Sequence, residues 1–195
     1  MKIGLVYGHV ASNIGDLCIN NGVVRMLEEA FPNCKLQVVI RDPNEKYLDN
    51  AKHSFDSRLN IQYSYIKTSK SVEDNVTLLK KYINDPKSYL ADTGLSDCDI
   101  ILNNSGEFIF SYEDDYRTDL LWRLLPALAA KSGKIRFITL PSTLGPFEEK
   151  VGANTIKTFF DLNDSFAVRD TRSLPLVSNL TDETNIPALL DPAFF

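Results

Sequence analysis

Five short polar clusters each stand directly after an apolar run. His9 to Asp16 follows Ile3–Tyr7, and Asn103-Asn104-Ser105-Gly106-Glu107 follows Ile100–Leu102. Pro141 to Phe147 follows Ile135–Leu140, Arg169-Asp170 follows Phe166–Val168, and Asp191 follows Ala188–Leu190. Parallel strands would bring all five to one rim of a sheet, where helix N-termini add partial positive charge and free N–H groups. A cleft built that way suits a polar or anionic small molecule. His9, just past a strand end, could serve as acid, base or ligand of a sugar hydroxyl, or be an ordinary hydrogen-bonded loop histidine.

Each cluster also has a purely structural reading. Asp16 can favour a helix N-terminus. Gly15 and Gly106 can serve turns, and Pro141 and Gly145-Pro146 can punctuate the chain. Arg169-Asp170 can be a surface ion pair of small energetic value. Asp191-Pro192 can open a turn. The case for a site is therefore the convergence of five clusters on one predicted edge.

The elements that would position them alternate. Ile3–Tyr7, Leu36–Ile40, Ile61–Ile66, Asp99–Leu102, Ile135–Leu140, Phe166–Val168 and Ala188–Leu190 read as strands. Ile19, Val23, Leu27 and Phe31 share one helical face, as do Val72, Val76, Leu79 and Ile83, the latter behind a capping-box-like Ser71-Val72-Glu73-Asp74. Leu120, Leu121, Leu124, Leu125 and Leu128 give a third helical stripe, with Pro126 expected to kink or break it and Gly133 to end it. Ile156, Phe159 and Phe160 suggest a fourth. Residues 43–60 read as a loop with a short helix, and 103–117 as a polar, acidic stretch. The alternation predicts an α/β fold: a Rossmann-like, doubly wound, mostly parallel sheet that binds ligands beyond the carboxyl ends of its strands.

Familiar catalytic signatures are missing. The sequence holds no G-x-x-x-x-G-K-[ST], no G-x-G-x-x-G after the first strand, no G-x-S-x-G and no H-E-x-x-H. His9 and His53 are the only histidines, so a multi-histidine metal centre is excluded. Cys18, Cys34 and Cys98 are too few and too scattered for a disulfide framework and are expected to be small buried residues. No cofactor or metal is called for, although Asp16, Glu107 and Asp170 could host an ion if they converged.

Composition bounds the rest. The chain has 195 residues, 44% hydrophobic and 24% charged, with a formal charge of −5. That is long enough for a sizeable core and too acidic for broad nucleic-acid binding. The apolar run at Met1–His9 is too short for a signal-peptide core, and no stretch approaches a membrane span. A cytoplasmic location is expected.

The ordered motifs resemble the polysaccharide pyruvyl transferase family. The resemblance is carried by Asn13-Ile14-Gly15-Asp16, by Leu140 to Phe147 ending in Gly145-Pro146-Phe147, by Phe166-Ala167-Val168-Arg169-Asp170 with Ser173 behind it, and by Asp191-Pro192-Ala193. It spans nearly the whole chain. It implies a transferase of glycan biosynthesis that forms a cyclic ketal on a sugar or glycan acceptor from phosphoenolpyruvate. It implies Arg169 as a contact to the anionic donor and Asp16 or Glu107 as acid, base or holder of sugar hydroxyls. It further implies Asn13 and Asn104 as partners of sugar hydroxyls, and Gly15, Gly106 and Gly145 as close backbone approaches. His9 joins the catalytic candidates and Asp170 the binding ones. A lipid-linked acceptor would bring the chain to a membrane surface without spanning it.

Two departures matter. Asn104-Ser105-Gly106-Glu107 stands where the family has a glycine-rich loop. Family members also run to about twice this length, as two facing domains of the glycosyltransferase-B (GT-B) kind, and their second-half arginine–histidine motif has no counterpart here. Residues 1–195 are therefore expected to form one Rossmann-like, acceptor-side N-terminal domain, inactive alone. The alternatives are another GT-B-like glycosyltransferase using an activated sugar, and a non-catalytic carbohydrate-binding domain of the same fold.

Overall fold

A computed structural model of the chain describes residues 1–8, 14–42, 49–50, 52–55, 57–69, 71–111, 117–147, 150–181 and 185–195. In chain order the elements are β1 (Lys2–Val6), α1 (Ile14–Ala30), β2 (Lys35–Asp42), β3 (Asn60–Lys67), α2 (Val72–Asn84), α3 (Pro86–Asp92) and β4 (Ile100–Asn103). They continue with β5 (Glu107–Ser111), α4 (Arg117–Gly133), β6 (Arg136–Phe147), α5 (Lys150–Leu162), β7 (Ser165–Val168), α6 (Ser173–Ser178) and a 3₁₀ turn at Pro192–Phe194.

The seven strands of the described residues form one sheet in which every named pairing is parallel. β2 lies between β3 and β1, β1 pairs with β4, and β4 with β6. The two remaining strands lie on opposite edges of β6. The Thr143 N–H donates to Gly106 O, whereas Ser142 O, in the same peptide unit, accepts from the Arg169 N–H. β5 therefore continues the line of β4, and β7 closes the far edge. The registers agree, since Asn103 stands opposite Thr139 and Glu107 opposite Thr143. The resulting order is that of a doubly wound sheet, with its switch point between β1 and β4.

Side-chain alternation divides the core between the two faces. Ile3, Leu5, Leu36, Val38 and Leu102 pack with Ile19, Val23 and Leu27 of α1. Val6, Val39, Ile101 and Phe137 pack with Leu79, Leu90, Leu125 and Phe159 from α2 to α5. Gly4 has no room for a side chain, because a Cβ there would stand 2.5 Å from Leu95 Cδ2. Ser71 caps α2 as expected, its hydroxyl accepting from the Asp74 N–H.

Several expectations are corrected. α4 runs unbroken through Pro126. β6 does not stop at Leu140 but carries Pro141–Phe147 as strand, because β5 and β7 supply ladder partners on both sides. The stretch after Asn103 contains β5, which its polar flanks conceal. Ala188–Leu190 is only an isolated bridge from Ala188 to Val168. α1 ends before Phe31, which is exposed, and Val72 is exposed as well, with Tyr82 taking the buried place beside Leu79. Cys34 and Cys98 are buried, but Cys18 is exposed on α1.

Candidate active site at the carboxyl rim

A parallel sheet puts all its strand C-termini on one edge, and three of the sequence clusters meet there around Arg169. The Arg169 Nε–H donates to Thr143 Oγ1 at 2.7 Å, and Nη1 donates to Asp191 Oδ2. The Thr143 hydroxyl donates in turn to Asp170 Oδ2 at 2.9 Å. Asp170 also accepts the N–H groups of Arg172 and Ser173, both at 3.1 Å, and the Ser173 hydroxyl. Ser173 Oγ receives the Leu144 N–H at 3.0 Å, which ties the loop after β7 back to β6. The Pro141–Phe147, Arg169–Asp170 and Asp191 clusters are thus one connected network.

The electrostatics follow from these bonds. Burial alone would raise the Asp170 pKa. The Thr143 hydroxyl, the N–H and hydroxyl of Ser173 and the Arg172 cation outweigh it, holding the carboxyl below its ordinary range. Arg169 is a partly buried cation bonded directly to Asp191 and, through Thr143, to Asp170. Its Nη2 has no hydrogen-bond partner among the described residues.

The fourth cluster joins from β4. Asn104 is fully buried, and its amide donates to Tyr7 O and to Asn20 Oδ1, both at 3.1 Å. Its own Oδ1 accepts the Ser105 N–H, and the Ser105 hydroxyl donates to Pro141 O. Both donors of Asn104 are therefore committed inside the protein. The structure shows it tying β1, α1 and β4 together at the switch point rather than facing solvent. Asn20 passes the network to the Ser54 hydroxyl at 3.2 Å. Beside it Asn103 is fully buried, with Oδ1 unpartnered among the described residues.

Two glycines at the rim have conformations that other residues rarely adopt. Gly106 has φ 146° in the bend between β4 and β5. Gly145 has φ 85°, and a Cβ there would stand 2.6 Å from Leu176 Cδ1. Gly15 and Asp16 lie in the first turn of α1, where an acidic side chain complements the helix dipole. Glu107 opens β5 opposite Thr143, so its backbone is at the rim. His9, Asn13 and the Glu107 side chain lie outside the described residues. No three His, Cys, Asp or Glu side chains among the described residues stand close enough to share a metal ion.

Sequence reasoning did not single out Thr143, Asn20 or Tyr7. Asn20 had a usable signal, being a polar residue next to Ile19 on the buried stripe of α1. Tyr7 had none, because φ 58° at a non-glycine strand end leaves no trace in composition.

The sequence pattern of one family, polysaccharide pyruvyl transferase, matches residues 13–195. The chain belongs to the polysaccharide pyruvyl transferase family. A search of curated proteins finds no match to this family member. Among solved structures it is similar to a UDP-GlcNAc 2-epimerase from Neisseria meningitidis bound to UDP-GlcNAc, at 14% identity and TM-score 0.62, covering 99% of this chain and 47% of that one. It is also similar to a putative UDP-N-acetylglucosamine 2-epimerase from Listeria monocytogenes, at 16% identity and TM-score 0.55, covering 91% and 42%. These likenesses establish a Rossmann-like, GT-B-like fold, and this pyruvyl transferase-family chain spans less than half the length of the solved chains. No helix of the described residues is long and apolar enough to cross a membrane.

Proposed function

We propose that this chain is the acceptor-side, N-terminal half of an enzyme that transfers the pyruvyl group of phosphoenolpyruvate to two hydroxyls of a sugar. The single observation supporting this reading is the convergence of the family's Leu140–Phe147, Phe166–Asp170 and Asp191–Pro192 motifs, through Thr143, Asp170 and Asp191, around one arginine at the carboxyl rim. The reaction protonates the enol methylene to a methyl group. One sugar hydroxyl adds to the resulting cationic carbon, the carbon–oxygen bond to phosphate breaks, and the second hydroxyl closes the cyclic ketal. Of the two hydroxyl protons released, one balances the methyl group and the other leaves with phosphate.

The groups on this half meet those needs in outline. Arg169 meets the carboxylate or phosphate of the donor through charge-assisted hydrogen bonds. Asp16, Glu107 and His9 are the candidates for moving protons, and Asn13 for holding a sugar hydroxyl. Gly15, Gly106 and Gly145 let the backbone approach the ligand, and Asp170 and Asn104 hold the rim in shape. A facing second domain completes the donor site. The acceptor is a glycan, and a lipid-linked one would bring the enzyme to a cytoplasmic membrane surface.

The test uses the full-length protein with its facing domain and measures phosphate release from phosphoenolpyruvate with candidate glycans, together with the ketal methyl signal by NMR. Arg169→Ala should weaken phosphoenolpyruvate use far more than it lowers thermal stability. Turnover of a nucleotide-sugar, with none of phosphoenolpyruvate, would instead identify a glycosyltransferase of the same fold. Sugar binding with no turnover of either donor would identify a carbohydrate-binding domain.

A further inference from the structure

We propose that Thr143 is a positioning residue for Arg169, its hydroxyl fixing the guanidinium plane in which an anionic ligand meets that arginine. The inference rests on the reading of Arg169 as the anion contact.

The groups themselves fix the direction of the hydrogen bonds. A threonine hydroxyl has one proton and two lone pairs, and an ionised carboxylate can only accept. The Thr143 proton therefore goes to Asp170 Oδ2 at 2.9 Å, which leaves a lone pair for the Arg169 Nε–H at 2.7 Å. Asp170 cannot drift, because the N–H groups of Arg172 and Ser173 and the Ser173 hydroxyl hold it. Ser173 is itself fixed by the N–H of Leu144, the neighbour of Thr143. The hydroxyl is thus held from both β6 and the loop after β7.

Nε is the donor that matters for orientation. An arginine anchored at one Nη alone can still rotate its plane about that contact. Anchoring Nε as well as Nη1 leaves one plane. An unanchored arginine carries rotamer entropy that a ligand would have to overcome on binding. Asp191 supplies the second anchor and the counter-charge, but it cannot replace a contact at Nε.

The experiment compares Thr143→Val, which keeps the shape and removes the hydroxyl, with Thr143→Ser, which keeps the hydroxyl. The variants are made in the full-length protein that includes the facing domain, and thermal unfolding of both checks that they fold. The first readout is the ¹⁵N–¹H resonance of Arg169 Nε. It should exchange slowly with solvent in the wild type and in Thr143→Ser, and rapidly in Thr143→Val. The second readout is titration with phosphoenolpyruvate. Its dissociation constant should rise roughly tenfold in Thr143→Val, the scale of a lost hydrogen bond to a charged group, and stay close to wild type in Thr143→Ser. A fast-exchanging Nε–H in the wild type, or equal phosphoenolpyruvate affinity in Thr143→Val and wild type, would overturn the proposal. A protected Nε–H that depends on the hydroxyl, without phosphoenolpyruvate binding to the wild type, would uphold the positioning role and remove phosphoenolpyruvate as the ligand.

Discussion

The hydroxyl of Tyr7 fills the hydrogen-bonding gap that Pro126 leaves in α4. Proline has no N–H, so the carbonyl four residues earlier, on Trp122, loses its helical partner. The Tyr7 hydroxyl donates to that same carbonyl. This is why α4 continues where the sequence predicts a kink or break. The contact also fastens α4 to the end of β1, where Tyr7 has a left-handed φ of 58° and its own carbonyl accepts from Asn104.

A double-mutant cycle tests this relationship. Tyr7→Phe should cost about 1–3 kcal/mol of unfolding free energy, since it leaves a largely buried carbonyl without a donor. In a Pro126→Ala background the helix regains the N–H that reaches Trp122 O, and the same Tyr7→Phe change should cost clearly less. Equal costs in the two backgrounds, measured by denaturant unfolding, would show that the hydroxyl is not substituting for the missing bond.

Gly22 lets the C-terminal segment reach α1. A Cβ built there would stand 1.7 Å from the carbonyl oxygen of Pro192, a backbone atom that cannot swing aside like a flexible side chain. Arg25 holds the same segment through Phe195 O at 3.1 Å. Gly22→Ala should therefore displace the Pro192–Phe194 turn while leaving β1–β4 folded. Hydrogen exchange should show faster exchange at Phe194 and Phe195, whose N–H groups donate to Asp191 O and Pro192 O. Unchanged protection at those two amides would mean that α1 shifts instead.

The sheet was legible because each buried strand writes its own apolar run. Ile100–Leu102 and Phe166–Val168 are short, yet polar residues bound them sharply. β5 was not legible, since it exists only by extending β4 beside the second half of β6, and pairing between distant segments has no local signature. Pro141–Phe147 read as a turn because two prolines and a glycine mark turns locally, and the neighbouring strands override that marking. At the rim, Arg169, Asp170 and Asp191 were legible from their places after apolar runs. Thr143 was hidden among turn-like residues, and the burial of Asn104 could not be read from an asparagine that sequence alone places at a strand end.

Asp170 gives a pH signature with a definite sign. Its folded-state carboxyl titrates below the ordinary value of 3.8, because the hydrogen bonds it accepts outweigh burial. A depressed folded pKa contributes stability above the unfolded value, lost as pH falls through the lower folded one. Between about pH 6 and about pH 3, the wild type should lose more unfolding free energy than Asp170→Asn, which has no proton to take up there. Parallel stability–pH curves for the two proteins would show that the network around Asp170 does not depend on its charge.

On the proposed reading of Arg169 as the anion contact, Asp191 competes with the ligand for the guanidinium. Its carboxylate bonds Nη1 and at the same time accepts the Ala193 N–H at 2.8 Å, capping the Pro192–Phe194 turn. Asp191→Asn keeps the shape and removes the counter-charge; its single oxygen can still cap the Ala193 N–H as Oδ1 does, while the bond that Oδ2 accepts from Arg169 is lost. The variant should bind phosphoenolpyruvate or inorganic phosphate several-fold more tightly, on the scale of a partly exposed ion pair, with a small loss of stability. Isothermal titration at two salt concentrations checks this, since the gain should shrink as salt screens the released charge. Weaker anion binding in Asp191→Asn would mean that the carboxylate aims Arg169 at the ligand instead of occupying its place.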